Sequence, residues 1–221
     1  VRNSNHWMRP GRYGRQAAGA GMAAILFTNT SANMPAWGAL DARLGNNPIV
    51  LAVPREKGPV VVDMAMSQFA YGKLEVAALA GEQLPMEGGF DETGALTRDP
   101  QAILRTKRIL PTGYWKGSAM SVALDLMAAA LSMGRTVSAV SRDPLQERGL
   151  SQVFVAINFR GLLPAGEVDR LLDDANRKGL NVGVAVVQPG ETGYARLLSE
   201  QEGLFTTFVR GEQKDQPVRR E

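Results

Sequence analysis

The sequence predicts a mixed α/β domain whose sheet is not purely parallel. Three observations lead there. Several apolar runs have strand length rather than helix length: residues 22–28 (MAAILFT), 48–54 (PIVLAVP) and 59–64 (PVVVDM). The last two are separated only by Arg55, Glu56, Lys57 and Gly58, so they are consecutive strands with no helix between them. Elsewhere strands alternate with single helices, which a sheet of mixed direction accommodates. The composition, 44% hydrophobic and 21% charged over 221 residues, is that of a folded chain with enough apolar surface for a core.

Taken in order, residues 1–5 read as a strand end or turn. Residues 11–19, rich in Ala and Gln, read as a helix that leads into the strand at 22–28. Residues 30–47 form a long loop with Pro35, Trp37, Gly38, Gly45, Asn46 and Asn47, and long structured loops are commonly binding elements. After the two strands, Ser67 stands where it could cap a helix running to about Ala80. A polar loop follows over 81–100, with Gly81, Gly88, Gly89 and Gly94. Residues 113–117 lead into a helix over 118–133 that Gly134 ends. Residues 151–159 (SQVFVAINF) alternate as a strand, 164–178 form a charged amphipathic helix, and 182–187 a last strand. Residues 213–221 are polar and aperiodic and read as a disordered tail.

Composition removes whole classes of chemistry. With no cysteine there is no disulfide framework, thiolate metal site, iron–sulfur cluster or cysteine nucleophile. His6 is the single histidine, so no multi-histidine metal site exists and no metal is expected. No apolar run approaches the roughly 18 residues of a membrane span, and no leader-like pattern opens the sequence, so a cytoplasmic location without membrane association is expected. The net charge is +3, and the acids are interspersed among the bases. A basic nucleic-acid-binding module is therefore a remote alternative, and no nucleic-acid partner is expected. The unopposed run Arg2, Arg9, Arg12 and Arg15 suits a phosphate-bearing ligand equally well.

Four segments carry possible chemistry. Gly19-Ala20-Gly21-Met22-Ala23-Ala24 fits G-x-G-x-x-A, but a helix precedes it and a strand follows. That order is the reverse of a dinucleotide fingerprint, and a glycine-rich helix end is the better reading. Gly113-Tyr114-Trp115-Lys116-Gly117-Ser118 opens a long helix. Lys116 supplies a charge, Gly117 permits close backbone approach, and Trp115 offers a stacking face; a capped helix with a packed tryptophan is the alternative. Asp63 ends an apolar strand, where a ribose contact or the capping of the following turn is possible, the latter favoured. His6, within Asn3-Ser4-Asn5-His6-Trp7, could move a proton near neutral pH or serve as a hydrogen-bonded structural residue. Asp125, inside an apolar helix, reads as a packing polar contact.

Quoted in order, VRNSNHWMRPGRYG, NMPAWGALDARLGNNP, VVVDMAMSQFAYGKLEV, LAGEQLPMEGGFDETGALT and RILPTGYWKGSAMSVALDLM resemble the type 2 malate/L-lactate dehydrogenase family. The resemblance is dense over residues 1–159 and fades beyond Gly161. The GGFD and GYWKGS segments point to the branch that reduces a diketo sugar acid rather than to the malate branch. The resemblance implies a largely antiparallel sheet with flanking helices that binds NADH or NADPH without a Rossmann domain, in a homodimer. It implies an oxidoreductase interconverting a 2-keto acid and a 2-hydroxy acid, with NADH favoured. It implies a cofactor-binding domain over 1–190 and a poorly matching, partly disordered segment over 191–221. By the same resemblance Pro59, Val60, Val61, Val62, Asp63, Met64 and Ala65 lie along the dinucleotide. Trp115, Lys116, Gly190 and Glu191 contact it, and His6 lines both the cofactor and the substrate pocket. Asn46, near the substrate, stands where the family usually has threonine in Leu-Gly-Thr-Asn-Pro. The family's proton donor is a histidine in a Ser-His-Gly motif upstream of the part that matches Val1. No catalytic residue is therefore assigned within these 221 residues, and a chain lacking its N-terminal part is expected. A cofactor-binding fragment that does not turn over is the alternative.

Overall fold

The computed structural model describes residues 1–56, 58–143, 146–158, 162–175, 196–198 and 205–207. Helix α1, Gly11–Gly19, is followed by strand β1, Met22–Thr28, at the bounds the sequence predicts. Gly21 takes φ +80°, a turn only glycine makes cheaply, and its N–H donates to Ala18 O. The glycine motif is thus a helix end, as expected. Strands β2 (Met34–Pro35), β3 (Ala42–Leu44), β4 (Ile49–Val53) and β5 (Val60–Met64) come next. Helix α2 (Tyr71–Ala80), strands β6 (Gly89–Phe90) and β7 (Leu96–Thr97), and helices α3 (Pro100–Thr106), α4 (Trp115–Ser132) and α5 (Val137–Val140) follow. Strand β8 (Gln152–Asn158), helix α6 (Glu167–Ala175) and strands β9 (Arg196–Leu198) and β10 (Phe205–Thr207) complete the order.

The main sheet runs β5-β4-β1-β8. The six-residue link between β4 and β5 is too short for a parallel crossover, so these neighbours are antiparallel. The small pairs β2–β3, β6–β7 and β9–β10 are antiparallel as well. The mixed α/β fold with a largely antiparallel sheet is therefore the one the sequence predicts. Among the described residues no helix is long and apolar enough to cross a membrane.

The chain resolves into two compact units. The first comprises Val1–Arg9, Leu26–Ile49 and Met64–Val155; the second comprises Pro10–Ile25, Val50–Asp63 and the chain from Ala156 onward. The core of the first joins Phe27, Met34, Met66, Leu74, Leu84, Ile103, Ile109, Leu124 and Val153. Helix α4 turns Gly117, Ser121, Leu124 and Ala128 inward at three- and four-residue spacing, the stripe a core-facing helix presents. Asp125 on α4 accepts from Asn29 Nδ2 at 2.9 Å and from Val137 N at 2.8 Å, which makes it the packing contact expected of it. In the second unit, Gly14 of α1 sits so close to Val50 and Ala52 that a methyl group there would lie 2.7 Å from Val50 Cγ1. Arg55, in the turn after β4, pairs with Asp169 of α6 at 2.9 Å, and Asp169 also accepts from Glu56 N.

Several expectations are corrected. Residues 1–5, read as a strand end or turn, form no named strand but pair as a strand end does, Ser4 by an isolated antiparallel bridge to Leu150 and Val1 O by accepting from Gln152 N. The loop at 30–47 contains the β2–β3 pair, and that at 81–100 contains β6–β7 around a turn at Gly94, φ +85°. There Asp91 accepts from Thr93 N, Thr93 Oγ1 and Ala95 N, and these bonds hold its carboxyl below the usual range. Ser67 does not cap α2. The helix starts at Tyr71 after an extended Ala70, because Met66–Gln68 is drawn into pairing with Leu110 and Thr112. Helix α4 starts at Trp115, three residues before the expected 118, and its end has Met133 rather than glycine in the left-handed conformation. Residues 176–178 of the expected sixth helix, the strand at 182–187 and the tail at 213–221 lie outside the described residues.

Candidate functional site

One constellation in the first unit is assembled through the backbone of Met66. Met66 N donates to Asn46 O at 2.7 Å, and Met66 O accepts from Thr112 N at 2.9 Å. Thr112 O in turn accepts from Gly117 N at 2.9 Å. Three segments far apart in sequence, around Asn46, Met66 and the start of α4, are thereby fixed to one another. Gly117 is the residue that permits it. A methyl group there would lie 2.3 Å from Thr112 O and 2.9 Å from Met66 O, so no other side chain fits without backbone movement.

The turn carrying Asn46 is held from below. Asn47 is fully buried; its Oδ1 accepts from Thr30 N at 3.0 Å, and its Nδ2 donates to Ser121 O at 2.9 Å and Ser121 Oγ at 3.1 Å. Ser121 Oγ donates to Gly45 O at 2.6 Å. Gly45 admits no side chain, since a methyl group would come within 2.4 Å of Thr30 Oγ1. Asn46 itself accepts at Oδ1 from Asn33 Nδ2 at 3.0 Å, with the Thr30 hydroxyl 3.2 Å away. Its Nδ2 has no partner among the described residues, which leaves an amide donor for a ligand oxygen.

The start of α4 is the electropositive part. It carries no capping side chain and no acidic residue in its first turn. Tyr114 before it is held at φ +59°, an uncommon conformation for a residue with a side chain. Its ring packs 4.8 Å from that of Trp37, whose N–H is held by Ser118 Oγ. Trp115 is 63% exposed, and Lys116 Nζ lies 5.9 Å from its ring centre. At that exposure Trp115 is not packed into the core of the first unit.

His6 is exposed, and its Nδ1 accepts from Met8 N at 3.0 Å. The neutral ring then carries its proton on Nε2. Trp7 beside it is buried, edge-on to Phe154. His6 acts electrostatically on half-buried Glu147, whose carboxyl burial pushes above its ordinary value, while His6 and the bonds from Ser31 oppose that rise. Sequence reading gave no hint of Glu147, and it singled out no role for Asn47, Met66 or Thr112 although the loop and the quoted segments contain them. The bulk of Asn47 among small loop residues is a weak signal, and the others have none.

The strand residues Pro59, Val60, Val61, Val62 and Asp63 belong to the second unit, whereas Met64 and Ala65 belong to the first. All seven are half-buried. Asp63 Oδ2 accepts from Gly11 N at 2.8 Å, capping α1 rather than the turn that follows β5. Pro10 has no side-chain oxygen to do so. Burial pushes the Asp63 carboxyl above its usual value, and the Gly11 bond only partly offsets this. Gly190 and Glu191 lie outside the described residues.

An antiparallel-rich α/β fold, a glycine motif in the order that excludes a Rossmann nucleotide loop, and a helix start with an exposed Trp-Lys pair describe a non-Rossmann α/β protein. The family model of malate/L-lactate dehydrogenases matches residues 1–204, and the chain belongs to that family. It is 51% identical over 178 residues to a 2,3-diketo-L-gulonate reductase of Escherichia coli O17:K52:H18, an alignment covering 80% of this chain and 50% of that protein. The chain spans about half the length of the curated relatives it matches. Among solved structures it is similar to the delta1-piperideine-2-carboxylate reductase of Pseudomonas syringae (TM-score 0.71, 29% identity, 82% of this chain and 57% of that one). It is also similar to the sulfolactate dehydrogenase of Methanocaldococcus jannaschii (TM-score 0.69, 29% identity, 86% and 56%).

Proposed function

We propose that the chain carries the cofactor- and substrate-facing part of an NADH-dependent oxidoreductase that interconverts a 2-keto and a 2-hydroxy acid, with 2,3-diketo-L-gulonate as the substrate. The observation that carries the reading is the backbone-linked assembly of Asn46, Met66, Thr112 and the Trp115-Lys116 helix start, in a chain 51% identical to a reductase of that substrate.

The residues present fit a dinucleotide. An uncapped helix start without acids favours a phosphate, the Lys116 ammonium adds charge, and the exposed Trp115 face suits a planar ring. Bound there, a reduced nicotinamide would supply the hydride. Lys116 and Trp115 bind and orient it. Asn46 Nδ2 donates to a substrate oxygen, and His6 presents Nε2–H to the same end of the substrate. Positioning of this kind is the protein's main contribution to hydride transfer. By the family resemblance the proton on the substrate oxygen falls to the histidine of a Ser-His-Gly motif, and none of the residues named here is given that role. NADH is favoured over NADPH because the GGFD and GYWKGS segments point to the diketo-acid branch of the family. A homodimer accords with the exposed apolar residues of α4, among them Leu126, Met127 and Leu131.

Titration of the chain with NADH, read by quenching of tryptophan emission and energy transfer to the nicotinamide, tests the reading. Saturable binding and turnover of 2,3-diketo-L-gulonate in the complete protein are expected. Absence of saturation at millimolar NADH overturns it.

A further inference from the structure

Three arginines from separate stretches of the first unit, Arg135, Arg142 and Arg148, line one cavity of about 320 Å³ together with Asp143 and Val140. Among the described residues none of the three guanidinium groups has a hydrogen-bond or ion-pair partner. Three guanidinium groups and one carboxylate leave two positive charges uncompensated in one concave wall. Glu147, between two of the lining positions in sequence, is not among the residues that line the cavity.

The backbones that launch these side chains are fixed. Arg135 O accepts from Asn29 Nδ2 at 2.6 Å and Ser151 Oγ at 2.7 Å. Ser141, directly before Arg142, donates through Oγ to Val137 O and accepts there from Ala32 N. Gly149, directly after Arg148, donates its N–H to Ser4 O at 3.0 Å. The Arg135 guanidinium lies over Gly149, where a methyl group would meet Nη1 at 2.7 Å; glycine at φ +76° makes that approach possible. The three side chains themselves stand exposed on these fixed backbones, and the planar forks of guanidinium groups match carboxylate and phosphate oxygens. A cavity of this size lies at the small end of ligand pockets.

We propose that this cavity binds a small dianionic oxyanion, a phosphomonoester or a dicarboxylate, at a site distinct from the Trp115-Lys116 helix start. Two charges match the two uncompensated ones, and the buried Val140 gives an apolar wall against which a short carbon stem rests.

Equilibrium titration of the full chain at constant ionic strength, with inorganic phosphate, glycerol phosphate, succinate and chloride as separate probes, tests this. Saturable one-site binding of phosphate and glycerol phosphate, or of succinate, is expected, with chloride inert; the preferred probe identifies the source of the dianion. Arg142→Gln and Arg148→Gln each weaken binding by roughly tenfold, the loss that follows from removing a charged hydrogen-bond donor. Arg148→Lys, which keeps the charge but not the fork, weakens it less, and Lys73→Gln on the exposed face of α2 leaves it unchanged. No saturation with any dianion overturns the proposal, as does an equal loss with Lys73→Gln or displacement of the bound dianion by NADH.

Discussion

Asn47→Ala is the most informative perturbation of the turn that holds Asn46, because its cost follows from counting what each partner keeps. Asn47 is fully buried and bonds Thr30 N, Ser121 O and Ser121 Oγ. Ser121 loses little: its hydroxyl still donates to Gly45 O, and its carbonyl lies within α4. Thr30 N–H loses its acceptor while only 4% exposed. One orphaned buried donor costs about 1–3 kcal/mol. Truncation of a buried polar side chain adds roughly 1 kcal/mol of lost packing, for a total of about 2–4 kcal/mol. All three tryptophans, Trp7, Trp37 and Trp115, lie in the unit that contains Asn47, so urea unfolding followed by tryptophan emission reports on the right part of the molecule. Asn47→Asp separates hydrogen bonding from packing. It keeps an acceptor for Thr30 but sets a buried carboxylate against Ser121 O. Burial raises that carboxyl's folded pKa, so stability present at low pH is lost as pH rises through it. The aspartate variant is therefore expected to be weaker at pH 7 than at pH 4 relative to the parent. A midpoint change equivalent to under about 1 kcal/mol for Asn47→Ala, or a pH-independent Asn47→Asp, refutes the account.

Gly117→Ala forces a methyl group against Thr112 O and Met66 O and is expected to cost about 1–3 kcal/mol and to weaken NADH binding together with stability, measured by the same unfolding and titration. Lys116→Ala removes a charge at the helix start and is expected to raise the NADH dissociation constant by roughly tenfold at unchanged stability; unchanged affinity removes the anion-site reading. Asp63→Asn keeps an acceptor for Gly11 N while removing a carboxyl whose folded pKa lies above its ordinary value. Ionisation of that carboxyl costs stability as pH rises through the raised value, so the variant gains on the parent between pH 4 and 7 in thermal unfolding, and a loss over that range contradicts the burial argument.

Local pattern carried much of the fold. Residues 11–28 appear as helix, glycine turn and strand at the predicted bounds, since an apolar run of strand length between glycine turns leaves few options. The pairs β2–β3 and β6–β7 have no such signature. Strands of two or three residues are made by their partners, and no period develops over that length. Helix α2 begins late for a tertiary reason, because the stretch from Met66 to Gln68 is held extended by Leu110 and Thr112 more than forty residues on. Helix α3 did carry a signal: Asp99 caps it by accepting from Gln101 N, and Pro100 fills its first position.

The candidate site was legible where a side chain announces its chemistry and silent where the backbone does the holding. Trp115, Lys116 and His6 stand out in any reading, and Asn46 came with the family resemblance. What joins Asn46 to the start of α4 is a series of amide bonds through Met66 and Thr112, atoms every residue possesses and no residue type advertises. Only the exclusions betray them, at Gly45 and Gly117, where neighbouring oxygens leave no room for a methyl group. This division has a consequence for Asn46, which stands where threonine is usual. Its backbone is set by its own carbonyl and by Asn47 beneath it, while its side chain adds the bond that Oδ1 accepts from Asn33 Nδ2. Asn46→Thr should therefore leave NADH affinity near that of the parent and cost less stability than Asn47→Ala, since only the half-buried Asn33 amide loses its acceptor, while changing the KM for the keto acid through loss of the Nδ2 donor. If the exchange instead lowers stability as Asn47→Ala does, the side chain of Asn46 is part of the scaffold and not of the site.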